Sequence, residues 1–536
     1  MVTTVDAVVI GAGPNGLVAA NLLADEGWDV LVLEAAATPG GAVRTAEIAA
    51  PGFRADVCSA FYPLFAASPV MAGLRLEDHG LNMIHAPDVL AHVFADDRVA
   101  LLSRDADRTA ASLGTFASSD VDAWHDQIAL WDRVGDDLLA ALLRPFPPIR
   151  GAAHLLRSLG GADAIRLVRR FVQPARRFGN EVFAGEGART LITGNAIHSG
   201  LGPDDAASAV FGWLLTMLGQ TVGYPVSEGG ADGIVTAMIR RLEARGGRVA
   251  CGREVTDVIV ESGMAVGVRD RTGETVLARK AVLADVPAPI LLSRLVGEEH
   301  LPSRLVADLR NFEWDDGTIK VDWALDAPLP WTNPDAAGAG TVHLGADTDG
   351  LAVSTTQMRN GSVPTDPFLL MGQMTTSDPT RSPAGTEALW AYTHVPNGKN
   401  WGRDELERFG DVVQSAIERH APGFTGNIRA RTIQGPSDLE GLDPSLVGGA
   451  ISQGVTSIHQ ELFFRPVPGL GRADMPVDRL YLAGASAHPG GALHGAPGAN
   501  AARAALSRNG TFGRIYRAGV GSAHRILYRP ARGPGI

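Results

Sequence analysis

Gly11-Ala12-Gly13-Pro14-Asn15-Gly16 fits the spacing G-x-G-x-x-G, with which a backbone turn cradles the pyrophosphate of a dinucleotide. Gly11 permits the tight turn, Gly13 lets the backbone approach the phosphates, and Gly16 allows a helix to pack closely, with Pro14 and Asn15 opening that helix. Twenty residues on, Glu34 places a carboxylate where it can accept from a ribose 2′-OH. The elements that must position these groups are legible around them. Ala7-Val8-Val9-Ile10 is apolar without alternation, as a strand buried on both faces requires. Leu17 to Ala24 reads as a helix ending at Gly27, and Val30 to Leu33 as a second strand that delivers Glu34. The whole is a βαβ unit with its phosphate turn at a helix N-terminus.

Three further glycine clusters extend the pattern. Pro39-Gly40-Gly41-Ala42-Val43-Arg44-Thr45 puts two glycines and a guanidinium directly after the ribose acid, and Arg44 can neutralise a buried pyrophosphate. Glu228-Gly229-Gly230 opens a second α/β block, in which the helical spacing of Ile234 to Ala244 is followed by four short strands and a buried strand, Lys280 to Asp285. Near the C-terminus, Leu480 to Leu482 leads into Ala483-Gly484-Ala485-Ser486, then Gly490, Gly491, His494, Gly495, Gly498 and Asn500. These read as a strand, a glycine-rich turn and a second helix N-terminus with unpaired N–H groups and a positive dipole end.

The run G-G-x-x-R-T after the ribose acid resembles the second fingerprint of FAD-dependent amine oxidases and phytoene-desaturase-like flavoproteins. The C-terminal arrangement G-A-S-x-x-P-G-G-x-x-H-G-x-x-G-x-N-A-A resembles the signature of phytoene desaturases and carotenoid isomerases, nearest to their pyridine nucleotide-disulphide oxidoreductase domain-containing branch. The resemblance spans most of the chain. It implies FAD as cofactor and an α/β fold, a Rossmann-type FAD domain built from discontinuous segments with an interleaved α+β substrate domain. It implies a backbone contact to the adenine at Val255, and hydride transfer from an apolar, isoprenoid or lipid-like C–H bond to flavin N5 with formation of a C=C bond. The reduced cofactor would pass its electrons to oxygen or a quinone, since no second G-x-G-x-x-G in a βαβ setting provides for NAD(P)H. A redox-neutral cis/trans isomerase, an amine oxidase and a non-catalytic flavoprotein stay open as other readings. Carotenoid desaturases usually lack the His494-Gly495 pair, a departure that bears on the polyene substrate.

Candidate catalytic side chains are His494 for proton handling, Lys320 near the reactive ring edge, and His459 with Arg465 as neighbours of the pocket or cofactor. Each has a plainer role: His494 bracing its turn, and Lys320 on the solvated face of the period-two strand Gly317 to Leu325. No metal site is expected. The organisation follows as FAD segments 1–73, 220–302 and 431–506, a helical cap 74–219, a second substrate segment 303–430 and a basic tail 507–536.

Composition bounds these readings. The 536 residues carry 47 Lys+Arg against 59 Asp+Glu, a net charge of −12 that argues against a nucleic-acid partner. Two cysteines, Cys58 and Cys251, provide no disulfide framework or zinc site. The N-terminus lacks a basic secretory n-region, and the apolar stretch 206–227 is broken by glycines and Pro225, so a cytoplasmic location is expected. The tail reverses the global charge, with Arg508, Arg514, Arg517, Arg525, Arg529 and Arg532 among Phe512, Ile515, Tyr516 and Ile526. It suits peripheral contact with an anionic membrane, although its glycines and Pro530 argue against a long amphipathic helix. A small lipophilic substrate is the expected partner, and a homo-oligomer stays open.

Overall fold

The computed structural model describes residues 3–529; Arg532 and Pro530 of the tail lie outside them. Two seven-stranded sheets organise the chain. In the first, β1 (Thr3–Ile10) is followed by the helix α1 (Pro14–Asp25) and β2 (Val30–Leu33). β1 pairs in parallel with both β2 and Thr275–Ala284, whose last residues pair in parallel with Leu480–Leu482. Arg248–Ala250 extends the other edge beside β2, and the antiparallel meander Val255–Glu261 and Met264–Asp270 joins the start of Thr275–Ala284. Three stretches of sequence thus share one parallel sheet. Its central strands are apolar on both faces because both are covered, one by α1 and Ala496–Asn509 and the other by residues of the meander and of Ile290–Gly297.

The second sheet runs Ile428–Gln434, Gly317–Leu325, Glu387–Val395, Leu369–Gln373, Ala339–Leu344, Asp88–Val93, Val99–Leu102. Its last two strands interrupt the span 74–219 that the sequence marks as helical. Runs as short as Val99–Leu102 do not distinguish strand from buried helix by periodicity, and pairing with Ala339–Leu344 decides the matter. One face packs on the amphipathic helix Arg403–His420. The other lies under the helices Glu186–His198 and Ser208–Thr221. The period-two pattern of Gly317–Leu325 therefore has no solvated side: all nine residues are buried.

Close approach of backbones holds the first sheet to its helices. A Cβ at Gly16 would lie 2.3 Å from the Gly11 carbonyl oxygen, and one at Gly498 would lie 1.9 Å from that of Asn15. Only glycine lets α1 and Ala496–Asn509 meet in this way. A second tie is electrostatic. The fully buried Arg381 guanidinium donates to both carboxylate oxygens of Asp56 at 3.0 Å and to Asp378 at 2.9 Å. Asp56 in turn accepts from Ala231 N–H at 3.0 Å and Asp378 from Gly229 N–H at 2.7 Å, so the triad joins both sheets' segments. Removing one partner of so buried a pair costs about 3–5 kcal/mol.

The tail also departs from expectation. Gly513–Leu527 is a helix despite three glycines, because tertiary contacts outweigh propensity. Tyr516 donates to Asp474 at 2.8 Å, and Arg508 and Arg517 pair with Asp478 at 2.9 and 3.3 Å. No helix among the described residues is long and apolar enough to cross a membrane.

Gly498→Ala is expected to lower the urea unfolding free energy by about 1–3 kcal/mol, the usual cost of an overpacked contact. Gly426→Ala, where a Cβ meets nothing within 4 Å, is the control expected to leave it unchanged. Equal stability of the two variants would contradict the backbone crossing.

Candidate active site

A cavity of about 660 Å³ opens at the C-terminal ends of the parallel strands. Gly11, Gly13, Pro14 and Asn15 at the start of α1, Glu34 after β2, Gly41 and Arg44 all line it, as do Val255, Ala485 and Gly491. The sequence motifs thus converge on one space from three distant segments. Glu34 is oriented by two backbone donors, Ala12 N–H to Oε2 at 2.7 Å and Ala36 N–H to Oε1 at 2.8 Å. Arg44 donates to the Gly41 carbonyl at 2.8 Å and to that of Leu442 at 2.7 Å, which fixes its guanidinium at the wall.

Other motif residues stand behind that wall. Gly16 donates its N–H to Asp285, and Gly40 donates its own to the Ala12 carbonyl at 3.0 Å. Gly484 packs against the Val286 backbone, Gly490 against the Arg465 guanidinium, and Gly495 heads the helix that carries Gly498 and Asn500. Gly229 and Gly230 do not border the cavity: they pack on Arg54, Thr45 and Asp378, because the turn serves the Arg381 triad.

The three candidate catalytic side chains separate. His459 lies 60% exposed and pairs with Glu313 at 3.1 Å, outside the cavity lining, which corrects its reading as a pocket residue. Lys320 is buried and ion-paired with Asp322, not solvated. His494 is buried, its Nδ1 accepts from Ala496 N–H at 3.1 Å, and burial lowers its pKa to about 4. That is a neutral imidazole bracing the turn into Ala496–Asn509, and its main-chain carbonyl also accepts from Ser68 Oγ at 2.7 Å. Arg465 is fully buried and donates to the carbonyls of Ser452, Val455 and Ala485 and to Glu461, so it braces the wall from behind.

Several lining residues carried no motif. Arg253, Arg271 and Arg294 gather near Val255, and Gln453 sits on a loop whose neighbours Ser452 and Gly454 donate to Asp315 at 2.8 Å. Asp285 ends Thr275–Ala284, accepts Gly16 N–H at 2.8 Å, and fills the room a Cβ on Gly13 would need. Burial raises its pKa to about 7. The hydrophobic strand before it was the only sequence signal, and nothing in that strand marks an acid as a lining residue.

A second cavity, about 240 Å³, adjoins the first. The two share Ala42, Ser59, Ile451, Gly491, Ala492 and Leu493 as a common wall. Beyond it the lining is mainly apolar and aromatic, with Phe61, Leu214, Tyr224, Leu370, Trp390 and Tyr392, and with Cys58, whose thiol burial pushes up to about 12. Among the described residues no group of three or more His, Cys, Asp or Glu side chains is placed to hold a metal ion.

The first cavity fits a dinucleotide on its own terms. It offers a glycine turn at a helix N-terminus, an oriented carboxylate at the ribose position and arginines for phosphate charge. In its lining, the buried Asn15 Oδ1 and Gln453 Oε1 have no hydrogen-bond partner within the protein. Fold and site together define a dinucleotide-binding protein of Rossmann type. Residues 9–75 match the family described as an NAD(P)-binding Rossmann-like domain. Over 93% of this chain and 92% of the relative, the sequence is 28% identical to mouse pyridine nucleotide-disulfide oxidoreductase domain-containing protein 2. It is 26% identical to the zeta-carotene-forming phytoene desaturase of Myxococcus xanthus, over 91% and 90% of the two chains. An oxidoreductase structure from Methanosarcina mazei superposes with a TM-score of 0.60 at 16% identity, covering 94% of this chain and 99% of the other, which supports the fold. The resemblance carried by the motifs therefore extends over nine-tenths of the chain.

Asp285 is expected to make cofactor affinity depend on pH. Below about 7 its carboxyl is neutral; above, it is an anion beside the phosphate-binding helix N-terminus. FAD binding to the apoprotein is expected to weaken severalfold between pH 6 and pH 8, and Asp285→Asn to remove most of that change. A wild-type affinity independent of pH, measured by flavin fluorescence quenching, would contradict the assignment.

Proposed function

We propose that the protein dehydrogenates a small, largely apolar substrate, forming a C=C bond, with oxygen or a quinone as the final electron acceptor. The observation that carries this reading is the wall shared by the two cavities, which sets an apolar chamber against one end of the dinucleotide site. The phytoene desaturases among the similar proteins support the same reaction class. Bound FAD supplies the hydride-accepting chemistry. The chain's own residues supply position and dryness: Phe61, Leu214, Leu370 and Trp390 exclude water and hold the carbon skeleton against Ala42, Ile451 and Leu493. No side chain needs to act as nucleophile.

Two hydrogens leave the substrate, a hydride to the bound cofactor and a proton to Glu461, which lines the second cavity; His494 takes none, since its Nδ1 already accepts from the backbone and its pKa lies far below neutrality. Lys320 acts through its pairing with Asp322, shaping the cavity face of the sheet. A membrane surface is the natural source of such a substrate, and the basic helix Gly513–Leu527, with Phe512, Ile515 and Ile526 exposed, suits peripheral contact there. A homo-oligomer is compatible with the same surface.

Anaerobic addition of a lipid extract of the host to the purified holoprotein is expected to bleach the oxidised-flavin band. His494→Gln is expected to leave the pH profile of that bleaching between 6 and 8 unchanged while lowering thermal stability. A flavin band that persists with every lipid fraction would contradict dehydrogenation and favour the isomerase, amine oxidase or non-catalytic reading.

A further inference from the structure

The second cavity is not uniformly apolar: His198 lines it, and the second sheet stacks further polar side chains behind His198. In register across one face of that sheet stand His92, His343, Leu370, Tyr392, Lys320 and Gln434. His394, two residues beyond Tyr392, packs edge-on against it with ring centroids 5.5 Å apart. The helix Glu186–His198 covers the histidine end. His198 places its ring 6.2 Å from that of His343, which lies 6.1 Å from that of His92. Gly194 on the same helix leaves room between them: a Cβ there would stand 2.8 Å from His343 Nδ1 and 3.7 Å from His92 Nδ1.

These imidazoles are short of partners. Both ring nitrogens of His343 and His394, and Nδ1 of His198, are buried without a hydrogen bond. Burial keeps the rings neutral, lowering His92 to about 3 and His198 to about 4 and pushing His343 and His394 down as well. A neutral imidazole has one N–H and one lone pair, and leaving both unpaired in a protein interior is costly. His198, Leu370 and Tyr392 also line the second cavity, while none of them lines the first. The histidine cluster is thus continuous with the part of the cavity that lies away from the common wall.

We propose that the second cavity takes a substrate whose apolar body carries one uncharged hydrogen-bonding group, a hydroxyl or a carbonyl, seated at the His198 end. This rests on the reading of that cavity as the substrate site. A neutral imidazole can donate to a carbonyl or exchange both roles with a hydroxyl. A hydrocarbon leaves the His198 ring, the one of the cluster that lines the cavity, without a partner there. A carboxylate calls for a cation, and the Lys320 ammonium on the same face is already paired with Asp322. Specificity of this kind is strong, because a site built to hydrogen-bond a group discriminates sharply against the analogue lacking it.

The test is binding of octane, 1-octanol and octanoate to the oxidised holoenzyme at pH 8, followed by tryptophan fluorescence and by the flavin difference spectrum. In a purely apolar pocket octane binds tighter than 1-octanol, because the hydroxyl must leave water. The proposal predicts the reverse order, with 1-octanol at least tenfold tighter than octane and than octanoate. His198→Leu is expected to restore the apolar order at unchanged flavin content, and His198→Gln, which keeps a hydrogen-bonding side chain, to retain the preference for the alcohol. Tighter octane binding in the wild type, tightest binding of octanoate, or an unchanged order in His198→Leu would each overturn the proposal while leaving the cavity's role as substrate site intact. Failure of all three molecules to bind would overturn that role as well.

Discussion

The backbone crossing at the N-terminus of α1 is the constraint on which the rest of the structure depends. Asn15 and Gly498 are separated by most of the sequence, yet no Cβ fits between them. The contact fixes the C-terminal helix Ala496–Asn509 on the phosphate turn and brings the strand Leu480–Leu482 alongside Thr275–Ala284. With that strand come Ala485 and Gly491–Leu493, which complete the first cavity and form the wall it shares with the second. A chain that failed to close this crossing would keep the βαβ unit but have neither a finished dinucleotide site nor a boundary with the second cavity.

Buried charge does the complementary work between the sheets. Arg381, from the segment between two strands of the second sheet, is neutralised by Asp56 and Asp378, and these carboxylates also hold the backbone at Gly229 and Ala231. Arg465 performs a similar task for the loop 452–455 and the turn at Ala485. Both guanidiniums serve as multidentate braces, a role in which a planar fork of donors is superior to an ammonium. They explain why glycines at 229, 230 and 490, which look like cofactor glycines by type, stand against side chains and not against the cavity.

The sequence revealed what local rules encode. The βαβ unit, the helix Ile234 to Ala244 with the strands after it and the C-terminal strand-turn-helix all follow from period and glycine spacing, and they are present at or within a few residues of the expected places. Groups that act through long-range packing stayed hidden. Asp285 is one acid after an apolar strand, and only the approach of Gly13 and Gly16 makes it a lining residue. No motif marks His198, and only the second sheet places His343 beside it. The alternation in Gly317–Leu325 was correctly seen and its environment misjudged, because period two reports that the faces differ and not that one is wet. His459 and Lys320 illustrate the same limit: type and neighbourhood in sequence suggested chemistry, while the fold gave one to the surface and the other to an ion pair.

The claim at the centre of this account is that the glycine-lined cavity holds FAD. Acid release of the cofactor from freshly purified protein, with identification by chromatography and quantification by absorbance, tests it most directly. The account predicts one FAD per chain; FMN, a nicotinamide dinucleotide or no nucleotide at all, with the protein still unable to take up added FAD, would contradict it.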